Sequence, residues 1–140
     1  MTEKDPSGLD PHTPGAKLDA GKQRPGLVLG AFAHALQAVT AVGTYGAKKY
    51  SPNGWLHVDS GLERYTDAML RHQLAELGGE KYDPDTGIAH AAHAAWNSLA
   101  RLELMMRAAD QPKADPRQVG VAQYPAQWQG NGTATGPASA

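Results

Sequence analysis

The sequence predicts an all-α fold. Apolar residues recur three and four apart in three long stretches, and no segment alternates β-branched with polar residues. Glycine and proline punctuate the gaps between those stretches. The expected helices, at about 27–49, 60–78 and 86–109, would make a small bundle. With one phenylalanine and three tryptophans in 140 residues, large apolar side chains are scarce, and much of the 41% hydrophobic content is alanine. A chain with so little to bury is expected to complete its core by forming a homo-oligomer.

Taken in order, residues 1–16 are rich in Pro, Gly, Asp and Ser and are expected to form a disordered arm. The folded domain spans 17–109. Its first helix follows Pro25 and carries Leu29, Phe32, Leu36, Val39 and Val42 at helical spacing, with Gly43 a candidate break. A loop with Pro52, Asn53 and Gly54 leads to the second helix, which Asp59 or Ser60 can cap. That helix turns Leu62, Tyr65, Met69, Leu74 and Leu77 inward and ends at Gly78-Gly79. The segment GEKYDPDTG is a connector whose proline bars continuous helix, and the third helix is expected to open within it, at Asp85 or Thr86. Its apolar stripe is Ile88, Ala92, Trp96, Leu99, Leu102 and Met106, with His90, His93 and Asn97 on nearly the opposite side. Residues 110–140 have no apolar period and read as a Pro/Gly/Ala-rich tail, with Tyr124 and Trp128 its large side chains.

Composition excludes several classes. A formal net charge of −1 speaks against general DNA binding, so basic chemistry must be local. The absence of cysteine removes disulfides, thiolate catalysis and cysteine-held zinc. No stretch is long and apolar enough for a membrane span, and the N-terminus lacks the order of a signal peptide, so a cytoplasmic protein is expected.

Acids gather between the start of the second helix and the start of the third: Glu63, Asp67, Glu76, Glu80, Asp83 and Asp85. Carboxylates beside a turn suit a hard cation that also takes phosphate oxygens, and Glu76, Glu80 and Asp83 are the candidate metal ligands. The competing explanation is a solvated polar face. Glu63–Asp67 and Glu76–Glu80 are like-charge pairs one turn apart, which a cation would relieve. His72, His90 and His93 lie in the same region; the last two, at i, i+3, could ligate a transition metal or grip a phosphate, or could be surface histidines. An adjacent His-Asp pair and the His-Glu-x-x-His pattern of zinc proteases are both absent.

Two cationic segments complete the candidate site. KLDAGKQRPG offers Lys17, Lys22 and Arg24 beside Gly21, suited to a triphosphate, though it is not the GxxxxGK[ST] loop. GAKKYSPNGW places Lys48 and Lys49 before Tyr50, Asn53 and Trp55, where aromatics can stack on a base and an amide can bond its edge. The same aromatics can equally close a small core.

Four stretches, KLDAGKQRPGL, VGTYGAKKYSPNGW, ERYTDAMLRH and GEKYDPDTGIAHAAHAAWN, together resemble the phage-associated dATP/dGTP diphosphohydrolases, a MazZ-like branch of the MazG-type nucleotide pyrophosphohydrolases. The last is the most specific, with Gly-Glu-x-x-Asp followed by His-x-x-His-x-x-x-Asn. The resemblance implies an all-α fold, a Mg²⁺ requirement (Mn²⁺ as substitute) and release of pyrophosphate from a purine (deoxy)nucleoside triphosphate. Glu80-x-x-Asp83 matches the second acidic motif of that family, whereas its Glu-Glu-x-x-Glu motif has no counterpart here. On that basis Glu76 and Glu80 are the expected catalytic acids. Lys17, Lys22, Arg24, Arg71, His72, His90, His93 and Asn97 are the expected phosphate contacts, and Lys49, Tyr50, Asn53 and Trp55 the base and sugar contacts. The alternative is a non-catalytic phage protein that sequesters a nucleotide or nucleotide-derived signal.

Overall fold

The structure, a computed structural model, describes residues 2–110. The expected tail beyond Asp110, with Tyr124 and Trp128, lies outside the described residues. These residues fall into two compact units, 2–28 and 29–110.

The first unit is built from turns around one carboxylate. Asp5, only 9% exposed, accepts the N–H of Lys17 on Oδ2 at 2.7 Å and that of Ser7 on Oδ1 at 2.7 Å. The Lys17 N–H above all, then those of Ser7 and Leu9, outweigh the cost of burial and hold the Asp5 carboxyl below its usual range. Residues 2–24 thus contain hydrogen-bonded turns in place of a helix or strand. The chain then enters α1 (Pro25–Gly30), with proline at the first helical position, where a missing N–H costs nothing.

The second unit holds α2 (Ala33–Lys49), a short 3₁₀ turn (Gly54–His57), α3 (Gly61–Leu77) and α4 (His90–Asp110). The all-α expectation holds: no strand occurs among the described residues, only an isolated bridge between Tyr82 and Ala89. None of the described helices is long and apolar enough to cross a membrane. α4 is central and packs along α3 and α2.

Several details of the helices differ from expectation, each for a local reason. The first helix breaks after Gly30, at Ala31–Phe32, and Gly43 stays within α2. A Cβ on Gly43 would lie 2.9 Å from Trp96 Nε1, so glycine is what lets α2 and α4 approach there. With the register so set, α2 buries Val42 and half-buries Leu36 and Val39, while Leu29 and Phe32 stand 53% and 58% exposed. Ser60 precedes α3 at φ +52°, with no capping bond from its side chain. The face of α3 turned towards α4 carries Tyr65, Ala68, Met69, His72 and Ala75, small and medium residues that permit close packing. Leu62, Leu74 and Leu77 were expected inside and are exposed. On α4 the buried line is His90, His93, Asn97 and Ala100, the polar face of the sequence reading, whereas Leu99 and Leu102 face outward.

α4 begins at His90, four residues later than Thr86, because a side chain captures the backbone first. Asp83 Oδ1 accepts the N–H groups of Asp85 (3.0 Å) and Thr86 (2.9 Å), and Gly87 turns the chain at φ +69°. Backbone bonds Asp83 N–H to Ile88 O (2.9 Å) and His90 N–H to Lys81 O (3.0 Å) then close the loop.

Candidate functional site

The loop from Glu80 to Ala89 folds back against the start of α4, and that return brings its acids onto the histidines. Glu80 Oε1 lies 2.7 Å from His90 Nε2. A carboxylate can only accept, so His90 donates its Nε2 proton. The other ring nitrogen, Nδ1, meets His72 Nδ1, 2.8 Å away on α3, so one of these two atoms carries the proton they share. Glu80, His90 and His72 therefore form one chain of hydrogen bonds.

A second chain runs beside it. Thr86 Oγ1 lies 3.1 Å from Asp83 Oδ1 and 2.8 Å from His93 Nε2. The hydroxyl gives its single proton to the carboxylate and accepts the His93 N–H, with Ile88 N–H as a further donor at 3.2 Å. The His93 ring lies flat on that of His72, with centroids 4.4 Å apart and planes 9° from parallel. Burial first, then the neighbouring His93 and His90, push the His72 imidazole below its ordinary 6.5. His93 is pushed down by burial as well, against the opposite pull of Asp83. Asp83 itself, despite its own burial, is held below the ordinary carboxylate value by the Thr86 N–H and hydroxyl and by His93. Among the described residues, no buried side-chain nitrogen or oxygen lacks a partner.

An open cleft of about 1500 Å³ runs from this wall to the end of α2. Arg71, His72, Asp83, His93 and Asn97 line one part of it, and Lys49, Tyr50, Asn53 and Trp55 another. The two groups lie 16 or more residues apart in sequence (Trp55 to Arg71); the first was expected on phosphates, except Asp83, expected on the metal, and the second on base and sugar. Tyr50 is 77% exposed, with the Lys49 ammonium 5.4 Å from its ring centre. Trp55 is different: it meets Tyr65 and Trp96 edge to face at 6.3 and 5.6 Å, and its carbonyl accepts the Tyr65 hydroxyl at 3.0 Å. Trp55 closes the core while presenting one side to the cleft. Asn97 turns its amide N–H onto the His93 carbonyl at 2.8 Å.

The expected carboxylate cage does not form. Glu76 is exposed on the outer side of α3, and Glu80 is engaged by His90. The potential ligand atoms that converge, within 4.8 Å of one another, belong to His72, Asp83 and His90. Mg²⁺ requires oxygen donors, so a set of two imidazoles and one carboxylate does not suit it. Lys17, Lys22 and Arg24 belong to the first unit, where Lys17 pairs with Asp19 at 3.4 Å and Lys22 with Glu3 at 2.9 Å. Sequence reasoning missed Thr86, the hub of the second chain. Asp-Pro-Asp-Thr-Gly carries the turn chemistry that would have indicated it. It also missed Arg101, whose Nε donates to Thr66 Oγ1 at 2.7 Å and clasps α4 to α3.

Comparison with known proteins agrees with the resemblance. A family model described as dATP/dGTP diphosphohydrolase, N-terminal, matches residues 12–117. The chain is also similar to the dATP/dGTP diphosphohydrolase of Salmonella phage PMBT28, 36% identical over 81 residues. The aligned stretch is 58% of this chain and 26% of the phage protein, so the chain spans about a quarter of that relative's length. No solved structure matches the chain.

Proposed function

The chain belongs to the dATP/dGTP diphosphohydrolase N-terminal family, and from that premise we propose that it hydrolyses a purine (deoxy)nucleoside triphosphate to the monophosphate and pyrophosphate. The observation that carries this is the shared cleft, whose lining includes both the Arg71–His72–His93 wall and the Lys49–Tyr50–Asn53 end. Arg71 and Lys49 supply cations for a phosphate chain, and the Arg71 guanidinium can bind two oxygens at once. The exposed Tyr50 offers a face on which a purine can stack, and Asn53 offers an amide for its edge. In the reaction a water oxygen bonds to the α-phosphorus while the bridging bond to the β-phosphate breaks. Pyrophosphate leaves, and the water's proton passes to the cleft wall formed by His72, Asp83 and His93. Mg²⁺ enters only as the counterion of the nucleotide phosphates. A cytoplasmic setting, where free nucleotides are at hand, suits such a substrate.

The test is direct. The purified protein is incubated with each NTP and dNTP and a divalent cation, and monophosphate and pyrophosphate are measured. Turnover of purine nucleotides, lost in Arg71→Ala, is the expected result. Tight nucleotide binding without any product would overturn hydrolysis in favour of a sequestering protein.

We also propose that the protein works as a homo-oligomer. Val42, Ala92, Ala94 and Ala100 are the buried apolar residues among those described, while Leu70, Leu74 and Leu77 stand 45%, 67% and 84% exposed along one side of α3. A stripe of that kind on a core so thin calls for a covering surface, and a second copy supplies one by symmetry.

A further inference from the structure

We infer that His72, Asp83 and His90 form a binding site for a borderline divalent transition metal, of the Zn²⁺ or Co²⁺ type, in place of the carboxylate-held Mg²⁺ expected from the sequence. The inference deepens the proposed function, and rests on it only for what the metal does, not for whether it binds. Three features of the geometry carry it.

The first is the His72–His90 pair. Two rings facing each other Nδ1 to Nδ1 at 2.8 Å place two nitrogen lone-pair positions at one point, with a single proton between them. On a tetrahedral metal with bonds of about 2.0–2.1 Å, the two nitrogens would stand roughly 3.3–3.4 Å apart. The pair therefore needs to open by about half an ångström, well within side-chain adjustment. On binding, the metal takes the place of the shared proton; a neutral His72 that carried it on Nδ1 shifts to the Nε2–H tautomer by exchange with solvent.

The second is the far side of His90. Its Nε2–H is held at 2.7 Å by Glu80, and the ring is buried, with 4% of the side chain exposed. A ligand histidine whose outer N–H is fixed by a carboxylate is the usual supporting arrangement of a metal site, since it sets the ring's orientation and makes the other nitrogen more basic. This gives Glu80 a positioning role.

The third is Asp83. Its three turn bonds, from Asp85 N–H, Thr86 N–H and the Thr86 hydroxyl, all fall on Oδ1, so the turn leaves Oδ2 aside. The turn that fixes Asp83 also brings this carboxylate, a third donor, within 4.8 Å of both imidazoles. Three protein ligands leave a coordination position for water or a phosphate oxygen, the pattern of catalytic metal sites. His72 and Asp83 both line the cleft where the nucleotide is placed. A metal there would lower the pKa of a bound water.

The test uses the full chain, stripped with a chelator and titrated with Co²⁺ and, separately, with Zn²⁺ and Mg²⁺ by calorimetry. Expected are a visible Co²⁺ absorption band of the intensity seen with imidazole ligands, binding of one ion per chain, competition by Zn²⁺ and no displacement by Mg²⁺. His72→Gln and His90→Gln should each abolish the band, with helicity measured by circular dichroism to confirm folding. Glu80→Gln, at a residue more than half exposed, should keep the band and weaken affinity ~10–100-fold. Failure to bind Co²⁺ and Zn²⁺, or binding unchanged in folded His72→Gln protein, overturns the site. The two ideas separate cleanly. Metal bound without nucleotide turnover removes the hydrolase and keeps the site, while turnover with Mg²⁺ in protein that binds no Co²⁺ or Zn²⁺ does the reverse.

Discussion

His72, on α3, and His90, the first residue of α4, are 18 positions apart in sequence and meet Nδ1 to Nδ1 at 2.8 Å. Everything between them serves that meeting. Gly79 at φ +98° and Gly87 at φ +69° turn the chain out and back, and the Asp83 carboxylate holds the returning strand of backbone. A polar seam between helices is costly unless each group is bonded, and here each buried side-chain atom among the described residues has a partner.

Thr86 joins Asp83 to His93, so its hydroxyl should matter more than its exposure suggests. Thr86→Val keeps the shape and removes one donor and one acceptor. It leaves the His93 N–H buried without a partner, a loss of about 1–3 kcal/mol. In a domain of this size that corresponds to a fall in Tm of roughly 4–8 °C per kcal/mol. Thr86→Ser should recover most of it. A thermal melt of Thr86→Val indistinguishable from that of the parent would show that the Asp83–Thr86–His93 chain is not formed.

The lowered histidines make metal-free protein acid-sensitive. His72 and His93 both have folded-state values below 6.5, so the unfolded chain binds more protons than the folded one as pH falls past that value. Stability therefore rises with pH through this window and is lost on acidification. Asp83 adds nothing there: its depressed value places its contribution above the ordinary 3.8 and removes it only at lower pH. Melts in chelator between about pH 8 and about pH 5 should show Tm falling on the acid side, with a shallower slope in His93→Gln. A Tm flat across that range would contradict the buried, neutral state of both rings.

The architecture was legible because helical periodicity needs only local sequence, and α3 was placed to within a residue at each end. The facing of the helices was not. Periodicity marked Leu62, Leu74 and Leu77 as core and His90, His93 and Asn97 as the other side. Yet α3 and α4 meet along the histidines, because small residues such as Ala68, Ala75 and Ala100 allow the closer approach. The Glu80–Asp83 motif and the three histidines were correctly placed in one region by proximity in sequence. Which of them would converge depended on the Asp83 turn, whose bonds to Thr86 and Asp85 also delay α4 to His90. Glu76 and Glu80 share a turn by spacing, but the chain leaves the helix at Gly78 before Glu80 can join that face.

Gly43 should tolerate no side chain. Its added Cβ would meet Trp96 Nε1 at 2.9 Å and Cδ1 at 3.4 Å, and Trp96 is itself held edge to face by Trp55 and Tyr65. Alanine favours a helix over glycine by roughly 0.5–1 kcal/mol, but overpacking of this kind costs about 1–3 kcal/mol. The clash should win. Denaturant unfolding of Gly43→Ala should give a lower midpoint and altered tryptophan fluorescence. Gly46→Ala, with nothing within 4 Å of its Cβ, should be neutral or stabilising. Equal effects at both positions would mean that α2 and α4 do not meet at Trp96.

The exposed leucines of α3 supply the last test. Leu70, Leu74 and Leu77 follow one another at spacings of four and three, so they share a face, and burying a leucine is worth roughly 1.5–3 kcal/mol. If a second copy covers them, light scattering of the parent protein should give a mass at least twice that of one chain, and Tm should rise with protein concentration. Leu74→Glu combined with Leu77→Glu should yield the single-chain mass, because two carboxylates per copy would face each other across the symmetry axis. Both positions lie outside the residues lining the cleft, so nucleotide binding per folded chain should persist at concentrations where the variant remains helical. A parent protein that runs as a single chain at high concentration would refute self-association through α3.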